Sequence, residues 1–196
     1  MEVTTGRFLL REFTEADAAQ FVAYHEDPRY LAFSSARDAS PQRSRGLLAM
    51  FHDWAREQPR RHYQFAIAAV YTPALLLGCC GLRGIEDRVA EIGIELAPRY
   101  WGRHGCALEV MCALIEFGFR DLELNEICGE TVSANDRIAR LATWLGFTSA
   151  RRDGAPEWMQ GRGWHEVEWR LPSEAWHAQR KHRARRSISA RNLEPR

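Results

Sequence analysis

Two carboxylates and a basic, glycine-containing turn lie close together near the middle of the chain. Glu91 and Glu95 belong to the run Glu91-Ile92-Gly93-Ile94-Glu95-Leu96. After Ala97-Pro98-Arg99-Tyr100-Trp101 comes Gly102-Arg103-His104-Gly105-Cys106-Ala107, which opens a long helical pattern. Strand, turn and helix in that order aim backbone N–H groups at an anion. The amides of the first helical turn have no partner within the helix, and the macrodipole adds roughly half a positive charge, so phosphate is favoured there. Gly102 and Gly105 let the backbone come close, while Arg103 and His104 add charge. An ordinary strand-to-helix turn that needed glycine has the same spacing, and both readings stand on spacing alone. The turn lacks the Gly-Lys-Ser/Thr of a P-loop and the Gly-x-Gly-x-x-Gly of a dinucleotide site. Side chains alternate along a strand, so Glu91 and Glu95 share a face, where a carboxylate acting through water takes up a proton. Solvated edge charges are the competing reading.

The elements that must position these residues follow from period and punctuation. Arg7 to Phe13 reads as a strand. Thr14, with Asp17 three residues on, starts a helix through Phe21, Val22 and His25 that Asp27-Pro28 stops. Ser40-Pro41 opens a second helix whose apolar face is Leu47, Leu48, Phe51, Trp54 and Ala55. Tyr63 to Tyr71, Leu75 to Leu82 and Val89 to Leu96 read as three antiparallel strands. Ala107, Val110, Met111, Leu114, Ile115 and Gly118 follow helical spacing. Asn125 to Ser133 reads as a strand, and Asn135 caps a helix that Gly146 ends. Phe147 to Arg152 and Trp164 to Leu171 read as two last strands around a turn rich in Gly, Pro and Asp. The order β, α, α, three β, α, β, α, β, β predicts one α/β domain with helices on both faces of its sheet.

Composition excludes several classes. The 196 residues are 45% hydrophobic and 27% charged, with a formal net charge of +1, as expected of an ordinary globular domain. The apolar run from Ala74 to Leu82 is about half of what a bilayer span needs, so no membrane partner is expected, and the first residues do not read as a secretory signal. Cys79, Cys80, Cys106, Cys112 and Cys128 form no Cys-x-x-Cys pair. They read as reduced thiols of a cytoplasmic protein with no metal site. Residues 177–196 hold seven Lys or Arg and one Glu. They read as a basic, flexible tail behind a domain of residues 1–176. The tail is a candidate for salt-dependent contact with RNA or the ribosome, an idle solvated tail being the alternative.

Four stretches resemble one family, the GNAT acetyltransferases, and within it the RimJ/RimL-like branch that acetylates ribosomal-protein N-termini and other amines. They are residues 4–28, the segment from Ala90-Glu91-Ile92-Gly93 to Trp101-Gly102, the segment from Thr131-Val132-Ser133-Ala134-Asn135 to Leu145-Gly146-Phe147, and the closing Gly163-Trp164 to Trp176. The resemblance implies a mixed, mostly antiparallel sheet splayed between its fourth strand (Val89 to Leu96) and its fifth (Asn125 to Ser133). It implies acetyl-CoA as cosubstrate and direct attack of a primary amine through a tetrahedral intermediate, the amine being a protein N-terminus or a small molecule. Gly102, Arg103, His104, Gly105, Cys106 and Ala107 would hold the pyrophosphate. Ile94, Glu95 and Leu96 would pair with pantetheine through their backbone, and Asn135 would bond the cofactor arm. Glu91 and Glu95 are the candidate bases. The departures are Gly102 where Gln or Arg is usual, Ile138 where Ser is common, and Ala142 and Trp169 near places that often carry tyrosine. They leave a non-catalytic acyl-CoA-binding module as the alternative. A second copy of the chain is a further candidate partner.

Overall fold

The computed structural model describes residues 1–33, 35, 40–102 and 105–191, the side chains of Pro41 and of residues 183–191 lying outside that description. Strands β1 (Glu2–Thr4) and β2 (Phe8–Arg11) precede helices α1 (Ala18–His25) and α2 (Pro41–Arg56). Strands β3 (Tyr63–Ala69), β4 (Thr72–Glu86) and β5 (Val89–Leu96) follow, then α3 (Cys106–Arg120), β6 (Glu126–Val132) and α4 (Asp136–Leu145). The chain continues through β7 (Thr148–Arg152), the short α5 (Glu157–Gln160), β8 (Glu166–Pro172) and α6 (Ser173–Arg191). The sheet order is β1-β2-β3-β4-β5-β6-β8-β7. Every described pairing is antiparallel except that of β5 with β6.

That one parallel pairing is short. It joins Val89 to Glu126, Ala90 to Ile127 and Glu91 to Cys128, and then stops. Beyond it β5 stays paired with β4 as far as Leu96, while β6 stays paired with β8 as far as Val132. The sheet therefore splits from Ile92 onward, as the resemblance implied; the strands counted fourth and fifth are β5 and β6 because the three-residue β1 comes first.

Each face of the sheet has its own core. On one face α3 and α4 cover Phe65, Ile67, Leu82 and Ile127 with Val110, Leu114, Ile115 and Leu145. On the other, α1 and α2 cover Ala66, Leu76 and Cys79 with Phe21, Tyr24, Leu48 and Phe51. The start of α1 is fixed by Asp17, which is 1% exposed. Its carboxylate accepts from the Thr14 N–H at 2.8 Å and from both Arg11 terminal nitrogens at 2.7 and 2.8 Å. Burial alone would raise the Asp17 pKa; the Arg11 and Thr14 hydrogen bonds hold it below the usual carboxylate range. Ser40 caps α2 by accepting from the Arg43 N–H at 3.2 Å, with Pro41 in the first turn.

Two parts differ from the sequence reading. The segment read as a turn before the last strand contains α5, started by Pro156. The stretch expected as a flexible tail is helical as far as Arg191, so the boundary drawn after Trp176 falls inside α6. Trp176 is 3% exposed and its indole donates to Glu116 at 3.1 Å. Arg180 contacts the same carboxylate, so the first turns of α6 are fastened to α3.

Candidate active site

The direction of the backbone groups along β5 follows from one hydrogen bond. The Ala97 N–H donates to the Leu77 carbonyl at 2.8 Å. Pairs alternate in an antiparallel ladder, and the register sets Glu95 opposite Cys79, Gly93 opposite Gly81 and Glu91 opposite Arg83. Those three residues therefore direct their N–H and C=O groups at β4. Ile92, Ile94 and Leu96 direct theirs the other way, toward β6. Where the sheet splits, Ile94 and Leu96 thus present backbone groups to the gap. The Leu96 carbonyl accepts from the Trp101 indole at 2.7 Å. Glu95, expected to offer backbone groups, offers its side chain instead.

The gap opens into a cleft of about 750 Å³ lined by Ile94, Leu96, Gly102, Gly105, Cys106, Ala107 and Asn135. Gly102 and Gly105 have φ of +68° and +66°, and a Cβ at either would meet no atom of the described residues within 4 Å. The left-handed backbone demands glycine at both positions, and the absent side chains leave open space beside the first amides of α3. That space suits a diphosphate. Arg103 and His104 lie outside the described residues. Cys106 is 9% exposed and belongs to the core, so its thiol is packed. The Asn135 Oδ1 caps α4, accepting from the Ile138 N–H at 3.4 Å, and the residue lines the cleft. The Arg137 guanidinium lies 4.3 Å from the Trp101 ring centroid on the cleft's edge.

A second cavity of about 440 Å³ shares Tyr30, Ile94, Glu95 and Asn135 with the cleft, so the two adjoin through the split. Glu95 stands at the junction, held by several donors. Tyr24 Oη donates to its Oε1 at 2.6 Å and the Cys79 thiol donates there at 3.0 Å. The Tyr30 hydroxyl donates to Oε2. His25 Nδ1 lies 2.8 Å from the Phe21 carbonyl, and Nε2 lies 3.3 Å from Glu95 Oε1 without an aligned hydrogen bond. Burial alone would raise the Glu95 pKa. His25 and the two tyrosine hydroxyls outweigh it and bring the carboxyl down to about 2. The same contact works in reverse on the thiol: burial, with the Glu95 charge added, pushes Cys79 well up. Glu91 shares the face of Glu95, as expected, but lies at the outer rim, half exposed and paired with Arg83 at 3.0 Å.

Four residues that line this second cavity, His25, Gln64, Arg83 and Trp169, each carry one buried side-chain atom with no hydrogen-bond partner among the described residues, Nε2, Oε1, Nε and Nε1 in turn. Such groups are costly when left unpaired. Of the residues around this cavity, Glu91 and Glu95 were legible as candidates. Tyr24, His25 and Tyr30 reach the site from α1 and the turn after it, some seventy residues away in sequence. No spacing signal links them to β5. Among the described residues, no group of three or more His, Cys, Asp or Glu side chains is arranged to hold a metal, and no helix is long and apolar enough to cross a membrane.

A mixed sheet split beside its one parallel pair, with a glycine turn and a helix N-terminus at the split, defines the acetyltransferase fold of the GNAT type. The chain belongs to that family: residues 7–148 match the model for the acetyltransferase (GNAT) domain. It is 31% identical over 148 residues to the uncharacterized N-acetyltransferase p20 of Bacillus licheniformis, covering 73% of this chain and 80% of that protein. It is 30% identical over 146 residues to the uncharacterized N-acetyltransferase YoaA of Bacillus subtilis (strain 168), with the same coverage. Among solved structures, spermidine N-acetyltransferase from Vibrio cholerae, in complex with CoA and spermine, superposes with a TM-score of 0.72 at 16% identity. The match covers 88% of this chain and 99% of that one. Ribosomal-protein-S5-alanine acetyltransferase from Vibrio fischeri superposes with a TM-score of 0.69 at 16% identity, covering 90% and 98%.

Proposed function

We propose that the chain is an acetyl-CoA-dependent N-acetyltransferase acting on a primary amine, in the manner of the RimJ/RimL-like branch. The observation that carries this reading is the early end of the β5–β6 pairing. It leaves the backbone of Ile94 and Leu96 facing a cleft that ends on the amides of α3. Gly102, Gly105, Cys106 and Ala107 would cradle the diphosphate, with Arg103 and His104 adding charge, and Asn135 would reach the cofactor arm. The Ile94 N–H is placed to polarise a thioester carbonyl and to stabilise the oxyanion that follows attack.

The second cavity is the place for the amine. Glu95 is a poor base, because four neighbouring groups already crowd its oxygens and its proton affinity is low. It stays charged, draws an ammonium group in and holds the hydroxyls of Tyr24 and Tyr30. Glu91, open to solvent at the rim, is the better acceptor of the amine's proton through water. An α-amine near pKa 8 is roughly a tenth neutral at pH 7, against less than a thousandth for lysine, so a site with so weak a base suits α-amines. His25, Gln64 and Arg83 favour an acceptor with hydrogen-bonding groups beside that amine.

Incubation with acetyl-CoA and a panel of peptides and small amines is expected to release free thiol, with α-amines used ahead of lysine side chains. Tight coenzyme A binding without turnover across the whole panel would select the non-catalytic reading. Asn135→Ala is expected to lose about 1 kcal/mol with the helix cap and to raise the KM for acetyl-CoA several-fold. Urea unfolding and steady-state kinetics measure the two effects separately.

A further inference from the structure

Arginines around the sheet are mostly paired, Arg11 with Asp17, Arg60 with Glu12, Arg83 with Glu91 and Arg152 with Glu130. Two on α4 are not. Arg137 and Arg140 are exposed, and among the described residues neither has a hydrogen bond or an ion pair. Asp136 stands four residues before Arg140, a spacing at which helices often join opposite charges, yet no ion pair forms between them. Both arginines line the cofactor cleft. Three residues apart, they share one face of α4. The Arg137 guanidinium lies over the ring of Trp101, the residue just before Gly102. The carboxylates that line the cleft, Glu95, Glu130 and Glu166, come instead from β5, β6 and β8. The cleft thus has a positive wall on α4, close to the glycine turn, while its acidic groups stand on the sheet.

Two guanidinium groups left without a counter-charge in a cleft call for an anion. The amides of α3 serve the diphosphate. Coenzyme A carries a further phosphate, a monoester on the ribose, with a charge of about −2 at neutral pH and three acceptor oxygens. That ribose is bonded directly to the diphosphate, which keeps the monoester near the turn. Neutral amides cannot neutralise a dianion, whereas the planar fork of a guanidinium matches phosphate oxygens in pairs. We propose that Arg137 and Arg140 bind the 3′-phosphate of coenzyme A and distinguish it from carriers that lack that group. This rests on the acetyl-CoA reading of the cleft. Because both side chains are exposed, the preference they give is moderate and salt-dependent. They act on binding and leave the turnover of bound cosubstrate alone.

Calorimetry with the full chain at low salt compares coenzyme A with 3′-dephospho-coenzyme A, which keeps the diphosphate and the pantetheine arm. The natural chain is expected to bind coenzyme A about tenfold more tightly. Arg137→Gln combined with Arg140→Gln should bring that affinity down to the level of the dephospho carrier, whose own affinity stays the same. Lysine at both positions should keep part of the preference. In acetyl transfer the double glutamine variant should raise the KM for acetyl-CoA and leave kcat unchanged. Arg140→Gln alone, which has no partner to lose, takes its place if the double variant does not fold. Equal binding of the two ligands by the natural chain would overturn the inference. So would a variant that weakens both alike, or one that keeps the full preference, and in each case the cofactor reading stands. If neither ligand gives heat, the cofactor reading falls and the inference falls with it.

Discussion

Gly105→Val is expected to weaken coenzyme A binding about a hundredfold while leaving a folded protein. Gly105 has φ of +66°, and a Cβ there would touch no atom of the described residues within 4 Å. The fold therefore feels mainly the left-handed strain, about 1–2 kcal/mol, which is greatest for a β-branched residue. The ligand loses more. A valine side chain fills the space beside the amides of Cys106 and Ala107, where charge-assisted bonds to a diphosphate are worth about 1.5–3 kcal/mol each. Losing even one or two costs about 3 kcal/mol, which is roughly two decades in Kd. Calorimetry with coenzyme A measures the affinity and urea unfolding the strain. Gly105→Ala should fall between the variant and the natural chain. An undiminished affinity would remove the turn from the site.

Glu95→Ala is expected to destabilise the protein by about 3 kcal/mol, within the range seen when one partner of a buried charged network is removed. It is also expected to lower kcat/KM at least tenfold. The loss removes the acceptor to which the hydroxyls of Tyr24 and Tyr30 and the Cys79 thiol donate. The pH dependence gives a sharper check with Glu95→Gln. The folded carboxyl titrates at about 2 against a reference of 4.5. A depressed folded pKa means that the unfolded chain binds more protons as the pH falls. The contribution is complete above about pH 5 and is lost progressively toward pH 2. A shift of this size is worth about 3 kcal/mol. Between pH 7 and pH 3 the natural chain should therefore lose more stability in urea than Glu95→Gln does. Asp17 and Glu109, whose carboxyls are also held low, titrate in both proteins and cancel in the difference. Parallel stability curves would show that the Glu95 cluster stores no such energy.

What was legible in the sequence was what is contiguous in it. The turn from Gly102 to Ala107, the cap at Asn135 and the serine-proline start at Ser40 each declare themselves within a few residues, and the structure uses them where they stand. The alternation along β5 puts Glu91 and Glu95 on one face. It did not say which backbone groups face the gap, because that depends on which residues of β5 lie in hydrogen-bonded pairs with β4, a fact of tertiary pairing. The three-residue β1 and the four-residue α5 are too short to carry a period. The cluster on Glu95 gave no local sign either. Tyr24, His25 and Tyr30 look like one face of an ordinary helix and the turn after it until α1 packs on β5.

Diffraction from the full chain grown with coenzyme A bears most directly on all of this. The account places the diphosphate against the backbone nitrogens of residues 105–107, with the pantetheine arm running along Ile94 and Leu96. Density for the ligand elsewhere on the molecule, with the turn and the split left empty, would contradict it.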